Sequence, residues 1–418
     1  MIFSSRIWAR GWRAAVIMTA ALGADAALAQ QPFDVVHWST GRVEAKAMRV
    51  IVDALDKRGV KWVDSAVATG AANRAAVMNR VAAGQPPAAA QWSLGKDLRE
   101  LADNGILYSP DKVATQQGWA RLTVPVVVNA FQYNNHTIAI PVGLQSDNWM
   151  FYNAAIYKEL GLKPATSWDE FLAQARKIKA AGYTPIAMAG DIIQRSQLFR
   201  DVLQGVAGAP LMARILVDND AAAARDPKVL RAFEVYRALK GFTDQGQIGR
   251  TWSVASGMVV TKKAAVQFVG DWAKAQYRDA GKSLGDEIGC ALAPGNTALH
   301  ISINGFILPR SKEPGRTASQ NVFAEVVMSP AVQREFNLAR GTLPVRRDVD
   351  TANFDVCTKQ AAKVIANPQN ALPNLFQAFD ADSVGKINDL LSGYWSGPTM
   401  TPAQGAAAFA RIVAAAHK

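Results

Sequence analysis

A chain of 418 residues, half of them apolar and 19% charged, can bury a substantial core, and its length fits two or three domains better than one. That composition excludes a disordered or fibrous chain. The formal charge of +12 is spread thinly: no run of five Lys or Arg occurs, and Arg346-Arg347 is followed at once by Asp348. A basic solvated surface accounts for it, and no nucleic-acid partner is expected.

The first 30 residues have the three parts of a secretory signal. Arg6, Arg10 and Arg13 make a basic start, residues 14–22 are apolar but too short to span a bilayer, and Ala27-Leu28-Ala29 is a small-x-small cleavage site before Gln30. Residues 1–30 are therefore set apart as a signal peptide, and the mature chain is expected to be soluble outside the cytoplasm. In an oxidising compartment the two cysteines, Cys290 and Cys357, favour one disulfide, with two buried thiols as the alternative. His37, His136, His300 and His417 lack ligand spacing, so no metal is expected.

The mature chain opens with an apolar, β-branched strand over 33–38, ending in Ser39-Thr40-Gly41, a turn able to cap a helix that begins near Glu44. Residues 45–55 have helical spacing, with Ala47, Val50, Ile51 and Ala54 on one face. A strand over 61–67, a helix over 74–83 and a strand over 88–91 follow. This alternation predicts an α/β fold with a parallel sheet and helices on its faces. Residues 138–142 and 148–153 read as extended, 154–160 as a helix stopped by Gly161. Ser167-Trp168-Asp169-Glu170 is a capping box for a helix to about 181, and 184–188 returns to a strand. Residues 227–243 and 264–280 read as helices, 298–308 as an alternating strand, and 318–328 and 330–338 as helices. The last eighty residues read as helices, the final one capped by Thr401.

An ordered series of short runs stands out: Val35-Val36-His37-Trp38, Thr40, Glu44-Ala45-Lys46-Ala47, then NWMFYN, TSWDEF, AAGYTPIAM and AAVQFVGDWAK. Together they resemble the extracellular solute-binding proteins of family 1, most closely the periplasmic glucose/mannose-binding proteins of bacterial ABC transporters, from about residue 33 to the C-terminus. The contexts IGCALAPG and FDVC also resemble the family's, which favours pairing Cys290 with Cys357. The resemblance implies a two-lobed periplasmic-binding fold with a hinge and a ligand cleft between the lobes. Residues 31–142 plus 302–343 would form the first lobe, and 143–301 plus 344–418 the second, helix-rich one. It further implies a monomer in the periplasm, with a small carbohydrate as ligand, an inner-membrane ABC permease as partner and no cofactor.

A sugar's C–H faces stack on aromatic rings and its hydroxyls need partners, since an unpaired buried polar group costs about 1 to 3 kcal/mol. Trp38 ends the first predicted strand, where open α/β folds place ligands, although a core role serves an end-of-strand Trp equally well. Glu44 matches the family's acidic residue after the first turn, and a carboxylate favoured by the helix dipole would also explain it. Trp149, Trp252 and Trp272 lie where the family keeps tryptophan. Elsewhere the chain departs from the pattern. The family's second tryptophan is Ser39, its glycines are Arg42 and Val43, and a lysine after the third strand is Ser93, beside Trp92. An asparagine and an aspartate correspond to Ser302 and Asn304, a later lysine to Arg340, and a histidine falls near Ala378.

These departures predict that glucose is not the best ligand. Arg340 offers a planar fork suited to a carboxylate, which keeps a sugar acid, polyol or other polar metabolite open as the alternative. A carbohydrate-active enzyme is disfavoured: Asp97, Glu100, Asp191 and Asp271 supply carboxylates, yet no pair is singled out by spacing. Phosphate-loop, GxSxG and HExxH motifs are absent from the sequence.

Overall fold

Strand β1 (Phe33–His37), helix α1 (Arg42–Asp56), β2 (Trp62–Ala66), α2 (Gly70–Ala82) and β3 (Ala89–Ser93) follow one another in the computed structural model, which describes residues 32–416. The expected signal and its cleavage site lie outside the described residues. β1 pairs in parallel with both β2 and β3, because each return to the sheet passes through a helix long enough for a parallel crossover. α1 buries Ala47, Met48, Ile51 and Leu55, an apolar stripe at helical spacing.

The chain then leaves this sheet along β4 (Ile140–Ser146) and enters another at β5 (Trp149–Asn153). β6 (Thr184–Ile186), α3 (Ile192–Ala207), β7 (Ala264–Val269), α4 (Ala273–Asp279) and β8 (Ile288–Leu292) come next, and β9 (Leu299–Ile307) runs back. α5 (Pro330–Arg340), α6 (Val356–Ile365) and β10 (Ala371–Pro373) precede two long terminal helices, Ala381–Ser396 and Pro402–Ala415. One sheet has the order β10-β9-β3-β1-β2, with β4 also paired to β9, and the other has the order β8-β5-β7-β6. β9 is the strand that joins the regions: its start lies beside β10, its middle on β4 and its end on β3.

The apolar side chains divide accordingly. Along β5, Trp149 and Phe151 join the core beneath the first sheet, while Met150 faces the other way into a helix-lined core with Phe171, Phe199, Phe233 and Tyr236. A period of two along one strand thus serves two cores. Cys290 on β8 is disulfide-bonded to Cys357 in the first turn of α6.

Two local expectations need correction. Residues 264–280 are not one helix: Ala264–Val269 is a fully buried strand, and the helix starts at Ala273. An apolar run covered on both faces has no amphipathic period to distinguish strand from helix. The Ser167 hydroxyl does accept from the Glu170 amide at 3.2 Å, but the Glu170 carboxylate accepts from the Thr166 N–H and hydroxyl at 2.7 and 2.9 Å instead of closing a box on Ser167.

Candidate functional site

Ser302 and Asn304 are half-buried on β9, alternating with buried Ile301 and Ile303. Directly across the ladders, Asn304 faces Ser93 of β3 and Ser302 faces Gln145 of β4. Opposed residues share a face, so Ser93, Ser302 and Asn304, with the buried Gln145, form one polar face of the first sheet. The Asn304 amide donates to Gln145 Oε1.

Glu44 in the first turn of α1 and Arg340 at the end of α5 form an ion pair of 2.9 Å. The other Glu44 oxygen accepts from the Gly41 N–H at 3.3 Å, so one carboxylate both caps a helix start and holds the guanidinium. α5 is itself fixed to β4, because the Gln333 and Asn337 amides donate to the Pro141 and Val142 carbonyls at 3.2 and 2.9 Å. Arg340 therefore already has a counter-ion on Nη2, while its Nη1 is buried without a hydrogen-bond partner. Ser39 is also turned inward, its hydroxyl donating to Gln91 Oε1 at 3.1 Å. Ala378 is buried in the helix-lined core.

The tryptophans separate into two groups. Trp38 is half-buried, its backbone N–H donates to Gln91 Oε1 at 3.1 Å, and its ring passes close to Gly70 at the start of α2. Trp252 and Trp272 are half-buried as well; the Trp272 ring lies so close over Gly270 that a Cβ there would overlap it. Trp92 and Trp149, by contrast, are engaged inside the fold. Trp92 is 4% exposed, lies under the Arg74 guanidinium at 5.2 Å and donates to Asp97 at 3.0 Å. Strand alternation turns Trp92 away from its neighbour Ser93, which adjacency in sequence conceals. Trp149 is wholly buried, stacks on Phe151 at 6.2 Å between centroids and donates to Ser146 Oγ at 2.6 Å.

Beneath the polar surface lies a buried charged group that the sequence reading passed over. Asp147 follows β4 directly, its carboxylate accepting from Ser302 Oγ at 2.8 Å and from both terminal nitrogens of Arg200 at 3.3 Å. Burial raises its pKa, and the Arg200 charge opposes that rise. Asp201 and His300 are fully buried nearby, 3.5 Å apart; burial pushes the carboxyl well up and the imidazole well down. The one available signal was a carboxylate placed between two extended runs, where a strand must change sheets.

Of the carboxylates considered for catalysis, Asp97 pairs with Arg74 and Asp191 caps α3 by accepting from the Gln194 amide at 2.8 Å. Glu100 is exposed, and Asp271 accepts from the amide and hydroxyl of Ser146 at 3.1 and 3.0 Å. Among the described residues, no group of three or more His, Cys, Asp or Glu is placed to hold a metal ion, and no helix is long and apolar enough to cross a membrane.

Residues 39–314 match the family profile of bacterial extracellular solute-binding proteins. A probable sugar-binding periplasmic protein of Brucella melitensis is 36% identical over 336 residues, 79% of each chain. A protein of the same description from Rhizobium meliloti is 35% identical over 349 residues, 82% of this chain and 83% of the relative. Among solved structures, a chitin oligosaccharide binding protein superposes with a TM-score of 0.79 at 20% identity, covering 93% of this chain and 99% of that one. The solute-binding protein RafE in complex with raffinose superposes with a TM-score of 0.74 at 18% identity, covering 91% and 99%. Both share the two-lobed fold.

Proposed function

Because the chain belongs to the bacterial extracellular solute-binding proteins, we infer that it is the periplasmic binding component of an ABC importer. It captures a mono- or small oligosaccharide by lobe closure and delivers it to the permease as a monomer. The observation that carries this reading is the polar face of Ser93, Gln145, Ser302 and Asn304 on the first sheet, two of whose strands, β4 and β9, carry the chain to and from the second sheet. A hinged protein places its ligand where strands cross between lobes. Trp38 supplies a ring at the end of β1, and Trp252 and Trp272 supply rings from the other lobe. The lobes comprise 31–142 plus 302–343 and 143–301 plus 344–418, after removal of the signal near Ala29/Gln30.

A neutral sugar is favoured over a sugar acid. The Arg340 charge is compensated by Glu44 at 2.9 Å, so a ligand carboxylate at the unpartnered Nη1 would meet the Glu44 charge beside it, whereas a neutral hydroxyl would not be repelled. The relatives named above are described as sugar-binding. The protein binds its sugar without turning it over.

Thermal-shift measurements on the mature protein with D-glucose, D-galactose, D-mannose, D-xylose, L-arabinose, maltose, cellobiose, raffinose, D-galacturonate and D-glucitol test this. The expected result is an upward shift with one or more neutral sugars and none with galacturonate. A shift with galacturonate alone would overturn the neutral-sugar reading, and release of free monosaccharide from the disaccharides would overturn the non-enzymatic one.

A further inference from the structure

The hydroxyl of Ser302 has only one proton to give, and the structure shows where it goes. Asp147 Oδ2 is occupied by Nη1 and Nη2 of Arg200 at 3.3 Å, and Oδ1 lies 2.8 Å from Ser302 Oγ. Ser302 is the donor in this contact, since the Arg200 guanidinium on the same carboxylate favours its charged form, which only accepts. Its two lone pairs are what remain for the half-exposed side of the residue. Asp147 and Arg200 cannot swing away: their side chains are 5% and 7% exposed, the Asp147 N–H donates to the His300 carbonyl at 2.7 Å, and its carbonyl accepts from the Gln197 amide.

We propose that Asp147, held by Arg200, is a positioning residue that fixes the Ser302 hydroxyl as an acceptor toward the ligand, so that this point of the site selects a sugar hydroxyl that donates. The assignment rests on the sugar-binding reading above and deepens it. An ether oxygen, carbonyl or carboxylate at this point of the ligand would meet lone pairs and lose affinity, whereas a hydroxyl is read by its proton. A serine without the carboxylate behind it would rotate and accept either kind of group. The carboxylate thus converts an undiscriminating residue into a selective one.

The test uses calorimetry with D-glucose, D-galactose, D-mannose, D-xylose, L-arabinose, maltose, cellobiose and raffinose, followed by monodeoxy and monodeoxyfluoro analogues of the tightest binder. Fluorine accepts weakly and cannot donate. The wild type is expected to show one position where both analogues lose about tenfold or more in affinity, a loss that disappears in Ser302→Ala. In Asp147→Asn the fluoro analogue at that position should regain affinity over the deoxy analogue, because the Ser302 proton is released. Asp147→Asn added to Ser302→Ala should cost no further affinity. Should Asp147→Asn not fold with Arg200 left unpaired, Asp147→Asn/Arg200→Gln provides the same comparison with a neutral pair.

Fluoro analogues that bind as well as the parent at every position would overturn the assignment, as would additive losses from the two substitutions. In both cases the sugar-binding reading would stand. If the wild type binds none of the eight sugars, that reading itself fails and the assignment falls with it.

Discussion

At Trp38 the backbone N–H is tied to Gln91 and the ring runs beside Gly70, so the indole is held without being enclosed. Burying a sugar ring face against it should contribute about 1 to 3 kcal/mol. Trp38→Ala is therefore expected to weaken binding about tenfold or more with little change in melting temperature; unchanged affinity by calorimetry would make Trp38 a packing residue only. Asp271 gives a second prediction at this scale. Burial pushes its carboxyl up to about 7 from 3.8, against pulls from Lys274 and the Ser146 donors. The folded protein binds that proton more tightly, so the stability it contributes is complete below the unfolded value of 3.8 and lost as pH rises through about 7. Asp271→Asn, permanently neutral, should gain on the wild type by roughly one to a few kcal/mol between about pH 5 and about pH 8. A constant difference in thermal melts at the two pH values would contradict it. The sequence pointed to Trp38 because it ends a strand and to Glu44 because it opens a helix, while Ser302 and Asn304 were reached only through the family resemblance of an alternating strand. Asp147 was hidden because its partners, Arg200 and Ser302, lie 53 and 155 positions away, and the setting of Trp92 because it depends on which face of β3 the ring takes.

Among the elements, the strands with alternating or β-branched character were legible, as β1 and β9 illustrate. β7 was not, since Ala264–Val269 is buried on both faces and offers no period. β8 and β10, of five and three residues, exist only through the partners they pair with, β5 and β9. β8 is also anchored covalently through Cys290 to α6, closing a loop across a sequence separation of 67. By chain entropy such a closure stabilises by about 4 kcal/mol. Cys290→Ala/Cys357→Ala is expected to lower stability by that order in urea unfolding while ligand affinity stays within about twofold, since neither cysteine is among the proposed ligand-facing residues. A variant as stable as the wild type would mean that the bridge constrains a region already ordered in the unfolded chain.

For the whole molecule, the decisive contacts are those that cross between the proposed lobes. Arg278 and Asp279 end α4, within the second lobe. The Arg278 guanidinium donates to the Leu338 and Ala339 carbonyls at 2.8 and 3.4 Å, in the last turn of α5, and Asp279 pairs with Arg42 at the start of α1. The two contacts differ in kind. Arg42 is 80% exposed, and an exposed pair is worth little. Arg278 instead satisfies carbonyls that the helix end leaves without partners and meets the negative end of its dipole. If these contacts form on closure, their energy belongs to the closed state, and the apparent dissociation constant varies inversely with the closed population. Arg278→Ala should then weaken sugar binding about fivefold, for a loss of about 1 kcal/mol, whereas Arg42→Ala should stay within about twofold. Small-angle scattering should show a larger radius of gyration for ligand-free Arg278→Ala than for the ligand-free wild type, with both converging on the same compact value at saturating sugar. If Arg278→Ala lowers the melting temperature but leaves affinity and radius unchanged, the contact persists in the open form and belongs to the hinge, and closure must be driven by the ligand-facing surfaces alone.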